Sequence, residues 1–260
     1  MLLAIDTSTH YASLALADGD ALLTELNWRV SQRHGSELLE RTRWLLRGQG
    51  AAMPDLTAVA VALGPGSFNG VRVAVATAKT LAFALSVPLY GVPTLDVIAW
   101  GARLTAQPIW ALLDAGRGEV YTARYDAAST QPIWTPQADA EDGATEPYII
   151  TTTQALAERI RMPVVFAGEW RDATHDALTT ALGDRARFTS PIAARRGAWL
   201  AELANQRARH GFADDPRALE PLYLRRPNIT KSARNVSAPG AASMTDRADG
   251  EEASHAIQRG

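Results

Sequence analysis

The sequence predicts an α/β protein built from two related halves, and three observations carry that prediction. Residues 59–63 form a short apolar run, mostly small or β-branched, that stops at Gly64. No polar face interrupts the run and a turn cluster bounds it, so it reads as a buried strand. Gly64, Gly66 and Gly70 follow inside seven residues, and from Val71 the chain carries no Gly or Pro until Pro88 and is rich in Ala. That is the pattern of a strand, a glycine turn and a helix. The third observation is an echo. Residues 2–17 read as strand, Asp, turn, strand, and residues 109–125 repeat the order around Asp114.

In chain order, residues 2–5 are a strand and Asp6 to Thr9 a polar turn. Residues 11–17 alternate enough to be a second strand, and Asp18, Gly19 and Asp20 make a hairpin turn into a third at 21–28. His34 and Gly35 precede a helix with Ser36 as its N-cap; Leu38, Leu39, Leu45 and Leu46 share one face, and Gly48 and Gly50 end it. Residues 88–92 are a short strand, and 96–104 a helix opened by Pro93 and Thr94. A strand at 108–114 turns through Gly116 and Gly118 into another at 120–125. Residues 126–147, rich in Ala, Asp, Pro, Thr and Gln, read as an irregular loop. A short helix at 153–161, a strand at 164–168 and a long helix at 192–209 follow, and residues 220–224 close the second half. These boundaries give an N-terminal domain at 1–105, a C-terminal domain at 106–227 and a disordered tail at 228–260, where apolar residues give way to Ser, Ala, Gly, Asp and Glu.

Composition excludes several classes of function. The chain has 260 residues, 47% hydrophobic and 21% charged, with a formal net charge of −2. That balance is ordinary for a globular protein and demands neither a nucleic-acid nor a membrane partner. Cysteine is absent, which removes disulfides, thiolate metal sites and a cysteine nucleophile. The five histidines (His10, His34, His175, His210, His255) are dispersed, with no second His three to five residues from any of them, so no metal site is expected. No apolar run reaches the roughly 18 residues of a membrane span, and the N-terminus turns acidic at Asp6 without a basic leader. A cytosolic protein is expected.

The candidate chemistry lies at the strand ends. The glycine loop reads GxGxxxG, one residue longer than the dinucleotide spacing, and Val71 and Arg72 stand where a P-loop needs Lys and Ser or Thr. Lys79 lies too far along the helix to reach a phosphate at its start. An anion site and a purely structural turn remain open for Gly64 and Gly66. Asp6, with Thr7 beside it, and Asp114 sit at equivalent points of the two halves. They could hold a hydrated Mg²⁺ across a cleft, or accept N–H bonds from their own turns. The helix after the glycine loop carries Ala74, Ala78 and Ala82 at intervals of four, flanked by Val71, Val75 and Leu85. This smooth stripe packs on its own sheet or receives a partner helix.

Taken together these segments resemble the TsaB (YeaZ-like) family, companion subunits in the synthesis of N6-threonylcarbamoyladenosine on tRNA. The matching stretches are LLAIDTST at 2–9, HGSELL at 34–39, VAVALGPGSFNGVRVAVATAKTLA at 59–82, LLDAGRGEVYTARY at 112–125 and PLYLR at 221–225, in the expected order. The resemblance implies the two-domain actin/hexokinase-like (ASKHA) fold, no catalytic residue and no cofactor. It implies a non-catalytic scaffold that docks onto the catalytic TsaD subunit, works with the small ATPase TsaE, forms a homodimer when alone and meets tRNA only through the complex. In TsaD a His-x-x-x-His pair binds metal; here His34 is followed by Glu37 and Leu38, so the pair is missing. The implied interface comprises His34, Ser36, Leu38, Leu39 and Leu45 on the first helix, and Arg72, Val75, Ala78, Lys79 and Ala82 on the second. Two departures stand near it: Gly35 separates His34 from Ser36, where the family has His-Ser-Glu, and Asn69 replaces the usual Thr. The alternative is a metal-dependent nucleotide-binding enzyme, kinase or peptidase-like, using Asp6, Thr7, Asp114 and the glycine loop.

Overall fold

A computed structural model describes residues 1–30, 34–126, 147–190 and 197–225, with the side chains of residues 34–36 outside that description. Residues 127–146 of the expected loop, residues 192–196 of the expected long helix and the expected tail at 228–260 all lie outside the described residues. Met1–Pro227 forms one compact unit.

Two five-stranded sheets carry the fold. The first holds β1 (Leu2–Asp6), β2 (Tyr11–Asp18), β3 (Ala21–Arg29), β4 (Ala58–Ala62) and β5 (Leu89–Val92), in the order β3-β2-β1-β4-β5. The second holds β6 (Ile109–Gly116), β7 (Glu119–Tyr125), β8 (Ile149–Thr152), β9 (Val164–Glu169) and β10 (Ala186–Phe188), in the order β10-β9-β6-β7-β8. Each sheet begins with an antiparallel meander and adds two parallel strands beside its first. The echo read around Asp6 and Asp114 is therefore a full duplication of topology. Four of its strands, β3, β5, β8 and β10, sit at sheet edges. The last two are four and three residues long, too short for a clear periodic signal.

Among the described residues six α-helices complete three helical layers: α1 (His34–Gly48), α2 (Phe68–Leu85), α3 (Thr94–Gly101), α4 (Thr153–Arg159), α5 (Asp172–Leu182) and α6 (Gly197–Arg209). Alternation along β1 decides which layer each side chain joins. Leu3 and Ile5, with Leu14, Leu16, Val59 and Val61, face α1 and α2. Ala4, with Ala15, Ala17, Ala60 and Ala62, faces the central layer of α3 and α6. Large side chains thus fill one face, each worth about 1.5–3 kcal/mol when buried, while alanines let the central helices approach the other. At Gly197 the approach is so close that a Cβ would meet Ser13 Oγ at 2.9 Å. α4 and α5 cover the outer face of the second sheet through Leu156, Leu178 and Leu182.

The central helices are exchanged between the halves. α3, from the first half of the chain, packs on β6, β7 and β9, whereas α6, from the second, packs on all five strands of the first sheet. Arg103 joins the two, its guanidinium 4.5 Å from the Trp100 ring and 5.1 Å from that of Trp199, and paired with Glu202 at 3.3 Å. This interlock makes Met1–Pro227 one unit although its topology is double. Residue 105 falls in the connection between α3 and β6.

Several local expectations are corrected. Ser36 is not an N-cap, because α1 already begins at His34. α2 starts at Phe68 rather than Val71, capped by the Ser67 hydroxyl, which accepts from the Gly70 amide. α3 begins at Thr94 and stops at Gly101, short of Leu104. Helix α5 lies in a stretch to which the sequence reading assigned no element. Residues 220–224 do not close the second half; they return to the first, where the Leu222 amide donates to the Leu63 carbonyl at 2.8 Å. Among the described residues no helix is long and apolar enough to cross a membrane.

Candidate functional site

Both strand-end aspartates close their own turns. Asp6 is fully buried, and its Oδ1 accepts from the Ser8 amide at 2.8 Å and the Ser8 hydroxyl at 2.6 Å. Asp114 Oδ1 accepts from the Gly116 amide at 2.6 Å, and its other oxygen pairs with Arg171. The spacing from carboxylate to amide is two residues in each case, the geometry of an Asx-turn. Across the halves, Thr9 Oγ1 donates to Glu169 Oε1 at 3.2 Å. Asp6 and Asp114 are therefore equivalent in topology and each serves the turn that follows it. Among the described residues no three His, Cys, Asp or Glu side chains gather in a group able to hold a metal ion.

The glycine loop packs backbone to backbone on the Asp6 turn. A Cβ on Gly66 would lie 2.1 Å from the Ser8 carbonyl oxygen, and one on Gly70 would lie 2.0 Å from that of Thr7. The Ser67 amide donates to the Ser8 carbonyl at 2.6 Å, and the Val71 amide to the Ser67 carbonyl. The Thr7 hydroxyl donates to the Gly70 carbonyl at 2.6 Å. Gly64, at φ +96°, exchanges two bonds with Thr94: its amide donates to Oγ1 at 3.1 Å and its carbonyl accepts the Thr94 amide at 2.7 Å. A phosphate cradle needs N–H groups turned toward open space. Here the amides of Gly64, Ser67, Gly70 and Val71 are spent on the protein itself, and the room between loop and turn is filled by Thr7 and Ser8.

Residues 29–233 match the family described as TsaD, tRNA N6-adenosine threonylcarbamoyltransferase. The TsaB protein of Bacillus subtilis, whose full description is tRNA threonylcarbamoyladenosine biosynthesis protein TsaB, is 30% identical over 232 residues, which are 86% of this chain and 93% of that protein. The chain belongs to the TsaB family. The Escherichia coli protein of the same name is 32% identical over 65% of this chain and 68% of its own length. The solved structure of YeaZ from Pseudomonas aeruginosa superposes with a TM-score of 0.69 at 26% identity, covering 86% of this chain and 99% of that one. The fold is accordingly the α/β fold of that structure, with two mixed sheets of repeated topology.

In this TsaB-family chain the side chains of His34 and Ser36 lie outside the described residues, and the other interface residues expected from the sequence fall into two sets. Leu38, Leu45, Val75, Ala78 and Ala82 are buried against the chain's own first sheet, so the alanine stripe is core. Lys79 is turned inward as well, its Nζ donating to the Leu219 carbonyl at 2.8 Å. Leu39 and Arg72 are exposed. Beside them the outward surface of α1 and α2 includes Trp44 (59% exposed), Phe68 and Phe83 (69% exposed), with the charged residues Glu40, Arg43 and Arg47 also exposed on α1. Phe68, Arg72, Ala76 and Phe83 share one stripe at helical spacing. The sequence reading passed over Phe83 and Trp44 because an apolar residue beside other apolar residues carries no mark of the side it faces. Ala78→Glu, which places a charge in that core, is expected to lower the melting temperature of the isolated chain by roughly 10 °C, from a cost of about 3–5 kcal/mol. Thermal unfolding of the purified variant checks this.

A buried polar cluster went unread in the sequence. Asp96 on α3 accepts from the hydroxyls of Tyr125 at 2.7 Å and Tyr148 at 2.8 Å, both through Oδ1. Burial pushes its carboxyl up to about 7, while the two hydrogen bonds and the positive charge of Arg207 pull the other way. Burial, together with the neighbouring Asp96 carboxylate, raises both tyrosine hydroxyls well above their ordinary range. The cluster ties α3 to the second sheet, as its helix exchange requires.

Proposed function

We propose that this chain is the non-catalytic companion subunit of a tRNA threonylcarbamoyladenosine-forming complex, docking onto a TsaD-type catalytic subunit through the outward faces of α1 and α2. The observation that carries the reading is the filled glycine loop, in which the position that presents amides to a phosphate in nucleotide-binding folds is occupied by the carbonyls of Thr7 and Ser8. The names of the relatives supply the pathway, and the two exposed aromatic residues Phe83 and Trp44, with Leu39 beside them in the same helical layer, supply a surface of the composition that interfaces favour. A TsaE-type ATPase as third member, a homodimer when the partner is absent, and contact with tRNA only through the complex belong to the same proposal.

Reconstitution tests it. Purified TsaD-type and TsaE-type subunits, with an enzyme supplying the threonylcarbamoyl donor, are expected to modify tRNA only when this chain is added. Asp6→Asn, which keeps an acceptor for Ser8, should leave that activity within about twofold. Loss of activity in a folded Asp6→Asn protein would favour the metal-dependent enzyme instead. Phe83→Asp should weaken the complex by at least tenfold in Kd, since a truncated hot-spot aromatic costs about 2 kcal/mol or more. Titration calorimetry with the TsaD-type subunit reads the change.

A further inference from the structure

The last described stretch of the chain, residues 214–225, binds first one half and then the other. Asp214 pairs with β5, its amide donating to the Leu89 carbonyl at 2.8 Å and its Oδ2 accepting the Gly91 amide at 2.7 Å. The Leu219 carbonyl takes the Lys79 ammonium from α2. Leu222 then lies on the glycine loop, its amide bound to Leu63 and its carbonyl oxygen 3.0 Å from where a Cβ on Gly64 would sit. Tyr223 comes out at the N-terminal end of α2, its ring centroid 5.5 Å from that of Phe68, which the Arg72 guanidinium overlies at 5.0 Å. Two residues later the chain is held by the second half. Arg225 Nη1 donates to the Ala115 carbonyl at 3.1 Å, and the same guanidinium pairs with Glu119 at the start of β7.

From this we infer that residues 219–225 form a tether that couples partner docking to the seating of the second sheet. The inference rests on the docking reading above. Phe68, Arg72 and Tyr223 form one exposed aromatic and cationic group continuous with the outward stripe of α2, so the docking face is completed by a segment that is not part of α1 or α2. The position of Tyr223 is set by the contacts on each side of it: Leu222 on the glycine loop, Arg225 on the β6–β7 turn. A partner that binds Tyr223 and Phe68 therefore favours the arrangement in which Arg225 reaches Glu119. Linkage requires the reverse too, that breaking the Arg225 contact weakens the partner's binding. Glu119 lies neither on α1 or α2 nor on residues 219–225, so a loss of affinity on its substitution is a coupling and not a lost contact with the docking face.

The experiment measures Kd for the TsaD-type subunit with the full-length chain and its variants. Arg225→Ala and Glu119→Gln are each expected to weaken binding roughly five- to twentyfold, and the double variant no more than the Arg225→Ala single, because both cut the Arg225–Glu119 pair and only Arg225→Ala also removes the bond to the Ala115 carbonyl. Hydrogen exchange at residues 219–223 should accelerate in both, with the melting temperature of the chain lowered only slightly. Wild-type affinity in both single variants overturns the tether. If Phe83→Asp then still weakens binding by roughly tenfold or more, the docking reading stands without it. If Phe83→Asp also binds as wild type, the docking reading itself falls. Affinity loss that is fully additive in the double variant also overturns the tether, since it assigns the two residues to separate effects.

Discussion

Gly70→Ala and Gly66→Ala are expected to unfold this protein at temperatures where Gly48→Ala leaves it intact. The added methyl would lie 2.0 Å from the Thr7 carbonyl oxygen in the first case and 2.1 Å from that of Ser8 in the second. Both obstacles are backbone atoms at the end of the buried strand β1, so no rotamer change relieves the clash and the loop must move as a unit. Moving it breaks the hydrogen bond from the Ser67 amide to the Ser8 carbonyl and, for Gly70, that from the Thr7 hydroxyl to the Gly70 carbonyl. Overpacking of this kind costs about 1–3 kcal/mol, and each lost buried hydrogen bond about 1 kcal/mol more. The sum, about 4 kcal/mol, corresponds to roughly 10 °C for a chain of this size. Gly48 ends α1 with nothing within 4 Å of a built Cβ, so Ala there should hold or slightly raise stability. Differential scanning calorimetry of the three variants decides the point. A Gly70→Ala protein that melts with the wild type would mean that the loop stands off the Asp6 turn, and that the room for a phosphate exists after all.

The second large effect is a dependence of stability on pH that belongs to one residue. Asp96 has a folded-state pKa of about 7, against an ordinary carboxylate value of 3.8. Its folded form thus holds a proton that the unfolded chain releases. With a raised folded pKa the stabilising contribution is fully present below about pH 4 and is lost as pH rises toward 7. The span is on the order of 4 kcal/mol, at about 1.4 kcal/mol for each pH unit. Asp96→Asn keeps an acceptor oxygen for Tyr125 and Tyr148 and removes the titration. Urea unfolding from pH 4.5 to 7.5 should therefore show the wild type losing stability relative to Asp96→Asn as pH rises. Parallel curves would assign the proton elsewhere. Arg207, which opposes the shift, is itself paired with Asp214 at 3.4 Å, so it leaves the carboxyl only partly compensated.

Most of the first sheet was legible because its strands announce themselves locally. Residues 2–5 and 59–63 are apolar and end at turn residues, and the Gly19–Asp20 hairpin appears with its two-residue loop, pairing Asp18 with Ala21. The duplication was legible from Asp6 and Asp114 alone, since a strand that ends in an Asx-turn leaves the same mark wherever it occurs. β8, β10 and α5 were not. The two strands are short edge elements whose order comes from a neighbour, and α5 buries only Leu178 and Leu182 in eleven residues, too sparse a pattern to stand out.

The candidate site divides along the same line. Spacing by itself removed the dinucleotide and P-loop readings of Gly64 to Gly70, and the absence of cysteine and of clustered histidine narrowed the chemistry further. Five motifs in order were enough to indicate the TsaB family. What sequence could not decide is which way a helix faces. Ala74, Ala78 and Ala82 are smooth enough for either a sheet or a partner, and only the packing of α2 on β4 turns them inward and leaves Phe83 outside. Nor could it place residues 219–225, because the bonds from Leu222 to Leu63 and from Arg225 to Ala115 join positions more than a hundred residues apart. Turn chemistry and periodicity are written in neighbouring residues and survive in the sequence. The choice of face and the course of the last segment are settled by contacts that exist only once both sheets and the exchanged helices are in place.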